Sequence, residues 1–116
     1  MSASDRGADA EQLAADYLGR HGLRIIERNF RVKGGEIDLI ARDGATTVFV
    51  EVRLRRRDGL VSAAESITVR KQRRLILAAR LWLQRHGEVP CRFDCVLLDE
   101  LDAGHIEWLR DAFRAD

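Results

Sequence analysis

The chain has 116 residues, of which 46% are hydrophobic and 34% are charged. This length allows one domain with a real core, residues 1–116, and is too short for two domains. The composition excludes a disordered chain, which would have fewer aliphatic residues, and a membrane protein, which would have a long uncharged run. The first 18 residues lack a basic leader followed by an apolar core, so we expect a cytoplasmic protein without a membrane partner.

The net charge of +1 conceals an uneven distribution of charge along the chain. Residues 51–86 contain ten Arg or Lys residues and three acids, whereas residues 87–116 contain eight acids and three Arg residues. A basic segment in a nearly neutral chain is typical of a protein that binds a polyanion. The acidic last third leaves another interpretation open, in which a non-enzymatic protein docks on a basic partner.

The first predicted element is a helix in residues 9–22, where apolar residues recur at helical spacing and Gly22 is a stop signal. Three strands follow in LRIIERNFRV, EIDLIAR and TTVFVEVRL, and a loop containing Asp43-Gly44 joins the last two into a hairpin. A long helix begins after Thr68, a predicted N-cap, and Pro90 precedes a strand in RFDCVLL. With a short last strand in HIEWL, the order α-β-β-β-α-β(-β) predicts an α/β fold with a mixed sheet.

Several histidine and cysteine residues have structural interpretations. His21 and His86 stand at the ends of the predicted helices, where a basic side chain favours the terminal carbonyl groups, so we predict that they are caps. Cys91 and Cys95 would lie about 13 Å apart along one strand, too far for a disulfide or a shared metal ion. We expect both to be reduced core thiols, and His105 to be structural.

The predicted hairpin carries acidic residues where a core favours hydrophobic ones. Alternation places Glu36 and Asp38 on one face of their strand and Glu51 on one face of the next. A two-residue loop, Asp43-Gly44, would make Asp38 and Glu51 diagonal neighbours, and a four-residue loop, 43–46, would place them directly opposite. Either loop brings the carboxylates within about 5 to 8 Å of each other, whereas a three- or five-residue loop would separate them.

Two carboxylates this close repel each other, and a divalent cation would relieve the repulsion. Oxygen ligands from Asp and Glu suit Mg²⁺ or Mn²⁺, and the main-chain carbonyl of Val52 is a candidate third ligand. Such an ion could activate a water molecule and stabilise charge on a phosphate. The alternative is that these acids pair with Arg31, Arg42 or Arg53 at the surface of the sheet.

The spacing from Asp38 to Glu51-Val52-Arg53 resembles the PD-(D/E)xK arrangement of restriction-endonuclease-like nucleases. The wider chain resembles the YraN family, small bacterial proteins of that fold whose architecture is related to archaeal Holliday-junction resolvases. This resemblance covers most of the chain, through EQLAADYL, GEIDLIARDG, VFVEVR, ITVRKQRR, RFDCV and HIEWLRDAF. It implies that Asp38 and Glu51 are metal ligands, that Glu11 is a further acid of the metal site, and that a homodimer is plausible.

Arg53 departs from the family pattern, which usually has lysine at this position. A lysine can orient or deprotonate the attacking water, whereas a guanidinium group stays charged and can only position or stabilise a phosphate. Two interpretations follow: a metal-dependent nuclease in which Asp38, Glu51 and Arg53 are catalytic, or a binding module that has lost cleavage. No role is assigned to Glu36 or Asp94.

Basic residues crowd the start of the second predicted helix, where the helix dipole already presents positive charge. A second basic cluster follows the hairpin directly, so both clusters would flank the carboxylates. We predict that nucleic acid, in the first instance DNA, binds through its phosphates to Arg55, Arg56, Arg57, Arg70, Lys71 and Arg74. Because no aromatic residue interleaves these clusters, we expect contacts to the backbone with little sequence readout.

Overall fold

The computed structural model describes residues 3–55, 67–99 and 105–115, with side chains described from residue 9 onwards except that of Arg55. Within these ranges, two helices and five strands follow each other in the predicted order. The first helix begins earlier and the last strand ends later than the sequence predicts. The elements are α1 (Ala3–Arg20), β1 (Arg24–Val32), β2 (Gly35–Asp43), β3 (Thr46–Arg55), α2 (Val69–His86), β4 (Cys91–Asp99) and β5 (Ile106–Phe113).

The five strands form one mixed sheet in the order β1-β2-β3-β4-β5. All neighbours pair antiparallel except β3 and β4, which are parallel and are connected through α2. One core cluster contains Leu75, Ala78 and Trp82 of α2, and a separate cluster contains Ala14 and Leu18 of α1. The helices therefore cover opposite faces of the sheet, and the predicted α/β fold with a mixed sheet is confirmed.

The helix ends are stabilised as the sequence predicts. The side-chain oxygen of Thr68 accepts a hydrogen bond from the main-chain N–H of Lys71 over 3.2 Å, so Thr68 is the N-cap of α2. Nδ1 of His21 donates to the carbonyl oxygen of Tyr17 over 2.7 Å, and Nδ1 of His86 donates to that of Trp82 over 2.9 Å. Neither helix of the described ranges is long and apolar enough to cross a membrane.

The hairpin between β2 and β3 has an even loop. Its ladder runs from the pair Asp43–Thr46 to the pair Leu39–Val50, which leaves only residues 44 and 45 in the turn. This is the register predicted for a loop of residues 43–46, which places Asp38 opposite Glu51. The turn is shorter than that loop because Asp43 and Thr46 also pair with each other. The alternative register, with Asp43-Gly44 as the loop, is wrong, because Asp43 pairs within the ladder.

The two cysteines differ in their surroundings. Cys95 is fully buried and Cys91 is exposed, and neither forms a disulfide. Burial raises the pKa of the Cys95 thiol to about 12, so this residue is inert at neutral pH. The prediction of two core thiols is wrong for Cys91, because β4 enters the core only from Phe93 onwards.

Gly35 sets the distance at which α2 packs on β2. A Cβ atom at this position would overlap the main-chain carbonyl oxygen of Arg74 and would lie 3.3 Å from Cβ of Ala78. Because a carbonyl oxygen in a helix cannot move independently, any larger residue would push the first half of α2 away from the sheet. Close packing at Gly35 therefore fixes the position of the basic start of α2.

We predict that Gly35→Ala destabilises the protein by about 1–3 kcal/mol, because overpacking forces α2 and β2 apart. The matched control is Gly19→Ala in α1, where an added Cβ would have no atom within 4 Å. This control should be neutral or stabilise the protein by up to about 1 kcal/mol, because alanine favours the helix. Urea unfolding measures the free energy of unfolding of each variant, and equal values for the two variants would contradict the close packing at Gly35.

Candidate carboxylate site

Asp38 and Glu51 come together where the ladder between β2 and β3 ends. The last pair is Leu39–Val50, and the same register places Asp38 opposite Glu51. The main-chain N–H of Val52 donates to Oδ2 of Asp38 over 2.8 Å, so a side chain of β2 bonds the main chain of β3 here. The charge of Asp38 raises the pKa of Glu51, so the two carboxyl groups interact directly. The hairpin thus joins the two predicted metal ligands.

The regular alternation of faces along β2 is broken at Asp38. Ile37 belongs to the core cluster beneath α2, whereas Leu39 belongs to the cluster beneath α1. Residues two apart in a regular strand share a face, so the regular alternation is interrupted between Ile37 and Leu39. Strict alternation, which predicts the face of Asp38 from its neighbours, therefore fails at this residue.

The carboxyl pair holds a proton at neutral pH. Burial is the main cause that raises the pKa of Glu51 to about 8, and the charge of Asp38 adds to it. Burial also raises the pKa of Asp38, which the hydrogen bonds from Val52 and Glu51 partly offset. Both pKa values are raised, so the pair as a unit favours one negative charge over two.

The sequence also allowed the acids of the hairpin to form ion pairs with arginine residues, and this interpretation holds for Glu36. Glu36 lies 3.5 Å from Nε of Arg31, and both side chains are exposed. Arg53 approaches Oε1 of Glu51 only to 4.0 Å, the limit of an ion pair, with both side chains largely buried. Glu36 is thus part of the solvated surface, whereas the Asp38–Glu51 pair is sheltered from solvent.

Glu11 lies at the edge of this pair. It projects from α1, and its pKa is raised by partial burial and by the charge of Asp38. Within residues 3–55, 67–99 and 105–115, no three His, Cys, Asp or Glu side chains are placed to hold one metal ion. Glu11 is near enough to be influenced by Asp38, and its assignment as a metal ligand stays a prediction.

The donors of the Asp38–Glu51 pair fit a small divalent cation. Both supply carboxylate oxygens, the ligands preferred by Mg²⁺ and Mn²⁺, and these ions commonly bind through one or two carboxylates with water in the other positions. A cation between the two groups would replace the shared proton and remove the repulsion that raises the pKa of Glu51. Because water can fill the other coordination positions, the two carboxylates are enough protein ligands for such an ion.

A groove connects Glu51 of the carboxyl pair with the start of α2. Glu36 and Glu51 line one wall of this groove, and Thr68, Arg70, Lys71 and Arg74 line much of the other. The first turn of α2 contains no acidic residue, so its free N–H groups and its cations are not neutralised within the helix. Acids of the hairpin and cations of α2 thus face a common space.

Three of the six predicted phosphate-binding residues line this groove: Arg70, Lys71 and Arg74. The remaining three belong to the basic cluster that follows the hairpin. The side chain of Arg55, and the whole of Arg56 and Arg57, lie outside the described residues. The contribution of that cluster stays a prediction.

Asp94 forms a buried network that the sequence analysis did not anticipate. Its fully buried carboxylate accepts hydrogen bonds from Nε of Arg92 over 3.0 Å, from Nε1 of Trp108 over 3.0 Å and from the main-chain N–H of Asp111 over 2.9 Å. Arg92 also bonds Asp43 over 2.9 Å. The only signal in the sequence was an acid within the apolar strand RFDCVLL, and its role is to tie β4 to β5.

This network is separate from the carboxylate site. Cys95, beside Glu51 in the sheet, belongs to the cluster beneath α2, whereas Val96 and Trp108 belong to the cluster beneath α1. Asp94 alternates with Cys95 and therefore points to the α1 side. His105 is exposed, and its carbonyl oxygen accepts from the N–H of Asp99 over 3.1 Å, which agrees with a structural role.

The sheet, the two helices and the acidic pair define a small α/β protein with a buried carboxylate site beside a basic helix start. The model of the Uncharacterised protein family UPF0102 matches residues 10–98, and the chain belongs to this family, the YraN family. The matched range contains the whole Asp38–Glu51 pair and the start of α2. The description of the family assigns no activity to its members.

Relatives match almost the whole chain. The UPF0102 protein of Methylobacillus flagellatus is 54% identical over 109 residues, which cover 94% of this chain and 96% of the relative. The UPF0102 protein of Dechloromonas aromatica is 53% identical over 111 residues, covering 96% and 90% of the two chains. UPF0102 protein NE0719 of Nitrosomonas europaea is 51% identical over 113 residues, covering 97% and 96%.

We predict that the stability of the metal-free protein falls as the pH rises from about 4.5 to about 8. Over this interval Glu51 is protonated in the folded chain and ionised in the unfolded chain, so the folded state binds more protons. Glu51→Gln removes this difference and should flatten the decline, and Asp38→Asn should reduce it in part. Urea unfolding at several pH values measures the slope, and an unchanged slope in Glu51→Gln would show that Glu51 is not the responsible group.

Proposed function

We propose that this protein is a nuclease of the restriction-endonuclease-like fold, which binds DNA and hydrolyses a phosphodiester bond with Mg²⁺ or Mn²⁺. The observation that carries the proposal is that Glu51, which pairs with Asp38 across the hairpin, lines a groove together with the basic start of α2. Carboxylates suit a metal ion, and clustered cations at a helix N-terminus suit phosphate. In a nucleic acid with a bound cation, the phosphates would bind the basic residues of α2 and the cation would bind the carboxylates.

The order of the elements supports the same proposal. A hairpin supplies both acids, Asp38 from β2 and Glu51 from β3, and the chain then crosses through α2 to a parallel strand. The PD-(D/E)xK spacing is thereby realised as an actual carboxyl pair. The break in alternation at Asp38 and the hydrogen bond from Val52 to its carboxylate supply a local reason for this geometry.

In the proposed site, Asp38 and Glu51 hold the cation. When bound, the ion would supply a Lewis acid for the phosphate and an acidified water as nucleophile. Arg53 lies beside Glu51 and keeps its positive charge, so it would bind a phosphate oxygen and would not accept a proton from water. Its planar guanidinium group can do so with two hydrogen bonds.

The start of α2 would bind the flanking phosphates. Arg70, Lys71 and Arg74 are on the groove wall opposite the acids, and the helix dipole adds to their positive potential. No aromatic side chain is among the described residues that line the groove. Recognition would therefore depend on the phosphate backbone, with little readout of base sequence.

We predict that the purified protein cleaves DNA in the presence of Mg²⁺ or Mn²⁺ and that Asp38→Asn and Glu51→Gln each lower the rate by about 10²-fold or more. This is the scale of losing one group that stabilises the transition state. Linear, single-stranded and branched DNA serve as substrates, and Glu88→Gln, an exposed acid away from the site, is the control. Cleavage that persists in both site variants would reveal a contaminant or another site.

Arg53 favours a second candidate function, a nucleic-acid-binding module of the same fold without cleavage. A permanently charged guanidinium group near Glu51 can bind phosphate but cannot serve as a base. Binding in the absence of cleavage by the wild-type protein would support this candidate. Arg53→Lys would then test whether the arginine is the reason, because lysine should restore turnover.

Binding to DNA should be steeply salt-dependent through the groove. Lys71→Gln and Arg74→Gln should each reduce the slope of log K against log salt by about 0.9, since each lost phosphate contact releases about one counterion less. Arg80→Gln, an exposed cation further along α2 that is not among the groove residues, is the matched control and should retain the slope. Fluorescence anisotropy at several salt concentrations measures these slopes, and equal losses in all three variants would contradict a localised phosphate site.

A further inference from the structure

Aromatic and cationic side chains stack on each other where the end of α1 meets β5. The rings of Tyr17 and His21 are stacked with their centroids 4.2 Å apart, and the ring of Trp108 meets that of Tyr17 edge to face at 6.3 Å. The guanidinium group of Arg110 lies over the ring of Trp108, 4.0 Å from its centroid. We call these four side chains the stacking cluster.

Hydrogen bonds hold the stacking cluster in place. Nε1 of Trp108 donates to the fully buried carboxylate of Asp94 over 3.0 Å. Nδ1 of His21 donates to the main-chain carbonyl oxygen of Tyr17 over 2.7 Å, which fixes the imidazole on the preceding turn of the helix. Side chains that are already fixed lose little conformational freedom when a ligand stacks on them. The stacking cluster is therefore preorganised for a flat ligand.

The end of α2 has a similar arrangement, but its aromatic rings belong to the core. His86 stacks on Trp82 with the ring centroids 4.0 Å apart, and the guanidinium group of Arg85 lies 5.6 Å from the ring centroid of Phe30. Trp82 is only 2% exposed and Phe30 only 8%. In the stacking cluster, by contrast, the tyrosine and tryptophan rings are half-buried and the histidine and arginine are exposed. Core packing accounts for the first arrangement and leaves the exposed planar groups of the second without a role.

Positive charge surrounds the exposed side of the stacking cluster. Arg20 and Arg24 flank the end of α1 and are exposed, and Arg110 adds a third cation. Asp111, the acid next to Arg110, forms an ion pair with Arg114 over 3.1 Å. Nucleobases stack on aromatic rings and on guanidinium planes, and the phosphates that join them favour nearby cations. An unpaired base on its phosphate backbone matches both features of this surface.

We infer that the exposed faces of His21 and Arg110 form a stacking platform for unpaired bases, so that the protein binds single-stranded segments of nucleic acid. Trp108 packs with the core cluster beneath α1, whereas the groove is lined by the start of α2. The platform therefore lies on the other side of the sheet and goes beyond the proposed function, and only the choice of DNA rests on that function. A substrate that uses both surfaces has an unpaired segment besides the strand that is cut.

The test compares three fluorescently labelled oligonucleotides: a single strand, the same strand in a duplex, and an abasic strand with the same number of phosphates. Fluorescence anisotropy in EDTA gives the dissociation constants of the full chain and separates binding from metal-dependent cleavage. Arg110→Lys keeps the charge but removes the planar group, so it should weaken binding of the single strand about 5-fold or more. Its affinities for the duplex and for the abasic strand should equal those of the wild type.

Two variants of His21 separate stacking from the cap of the helix. His21→Leu and His21→Phe both remove the hydrogen bond to the carbonyl oxygen of Tyr17, but only phenylalanine keeps a planar ring. His21→Leu should therefore bind the single strand about 5-fold or more weakly than His21→Phe does. The matched controls at the end of α2, His86→Leu and Arg85→Lys, should bind the single strand as the wild type does.

Each contrary result has a distinct meaning. Wild-type affinity in Arg110→Lys, with equal affinities in the two His21 variants, would overturn the platform and leave the proposed function intact. Losses as large for the abasic strand as for the single strand would also overturn the platform, because they would reflect contacts to phosphate. A wild-type protein that binds neither the single strand nor the duplex would overturn both the platform and the proposed binding of DNA.

Discussion

Two carboxyl groups buried against each other are unfavourable in any fold, and here the register of one hairpin imposes them. Asp38 and Glu51 face each other because Asp43 pairs with Thr46, which leaves residues 44 and 45 as the β2–β3 turn. The fold relieves part of the cost with the N–H of Val52 and a proton on Glu51, whose pKa rises to about 8. The remaining cost would be relieved by a cation, and the proposed function depends on this constraint.

The rest of the architecture brings complementary groups to this pair. Gly35 lets α2 pack closely on β2, which places the basic start of α2 across a groove from Glu51. α1 carries Glu11, whose pKa is raised by partial burial and by the charge of Asp38. The Asp94 network lies on the α1 side of β4 and joins strands without taking part in the site.

Much of this fold follows from local sequence signals, because helix spacing, caps and turn residues act over short distances. Thr68, His21 and His86 cap their helices as predicted, and the even hairpin loop brings Asp38 to Glu51. The broken alternation at Asp38 could not be predicted, since it depends on Ile37 packing beneath α2 and Leu39 packing beneath α1. The exposure of Cys91 and the partners of Asp94 likewise depend on where the sheet begins and on which strands become neighbours.

The central claim is that a divalent cation binds between Asp38 and Glu51, and paramagnetic broadening by Mn²⁺ locates such an ion directly. Substoichiometric Mn²⁺ is added to ¹⁵N-labelled protein, and the loss of each amide signal is followed by NMR. If the cation binds there, the amide signals of Val52, Asp38 and Glu51 disappear first in the wild type and survive in Asp38→Asn. Broadening spread evenly over the surface, or centred on the acidic residues after 87, would contradict it.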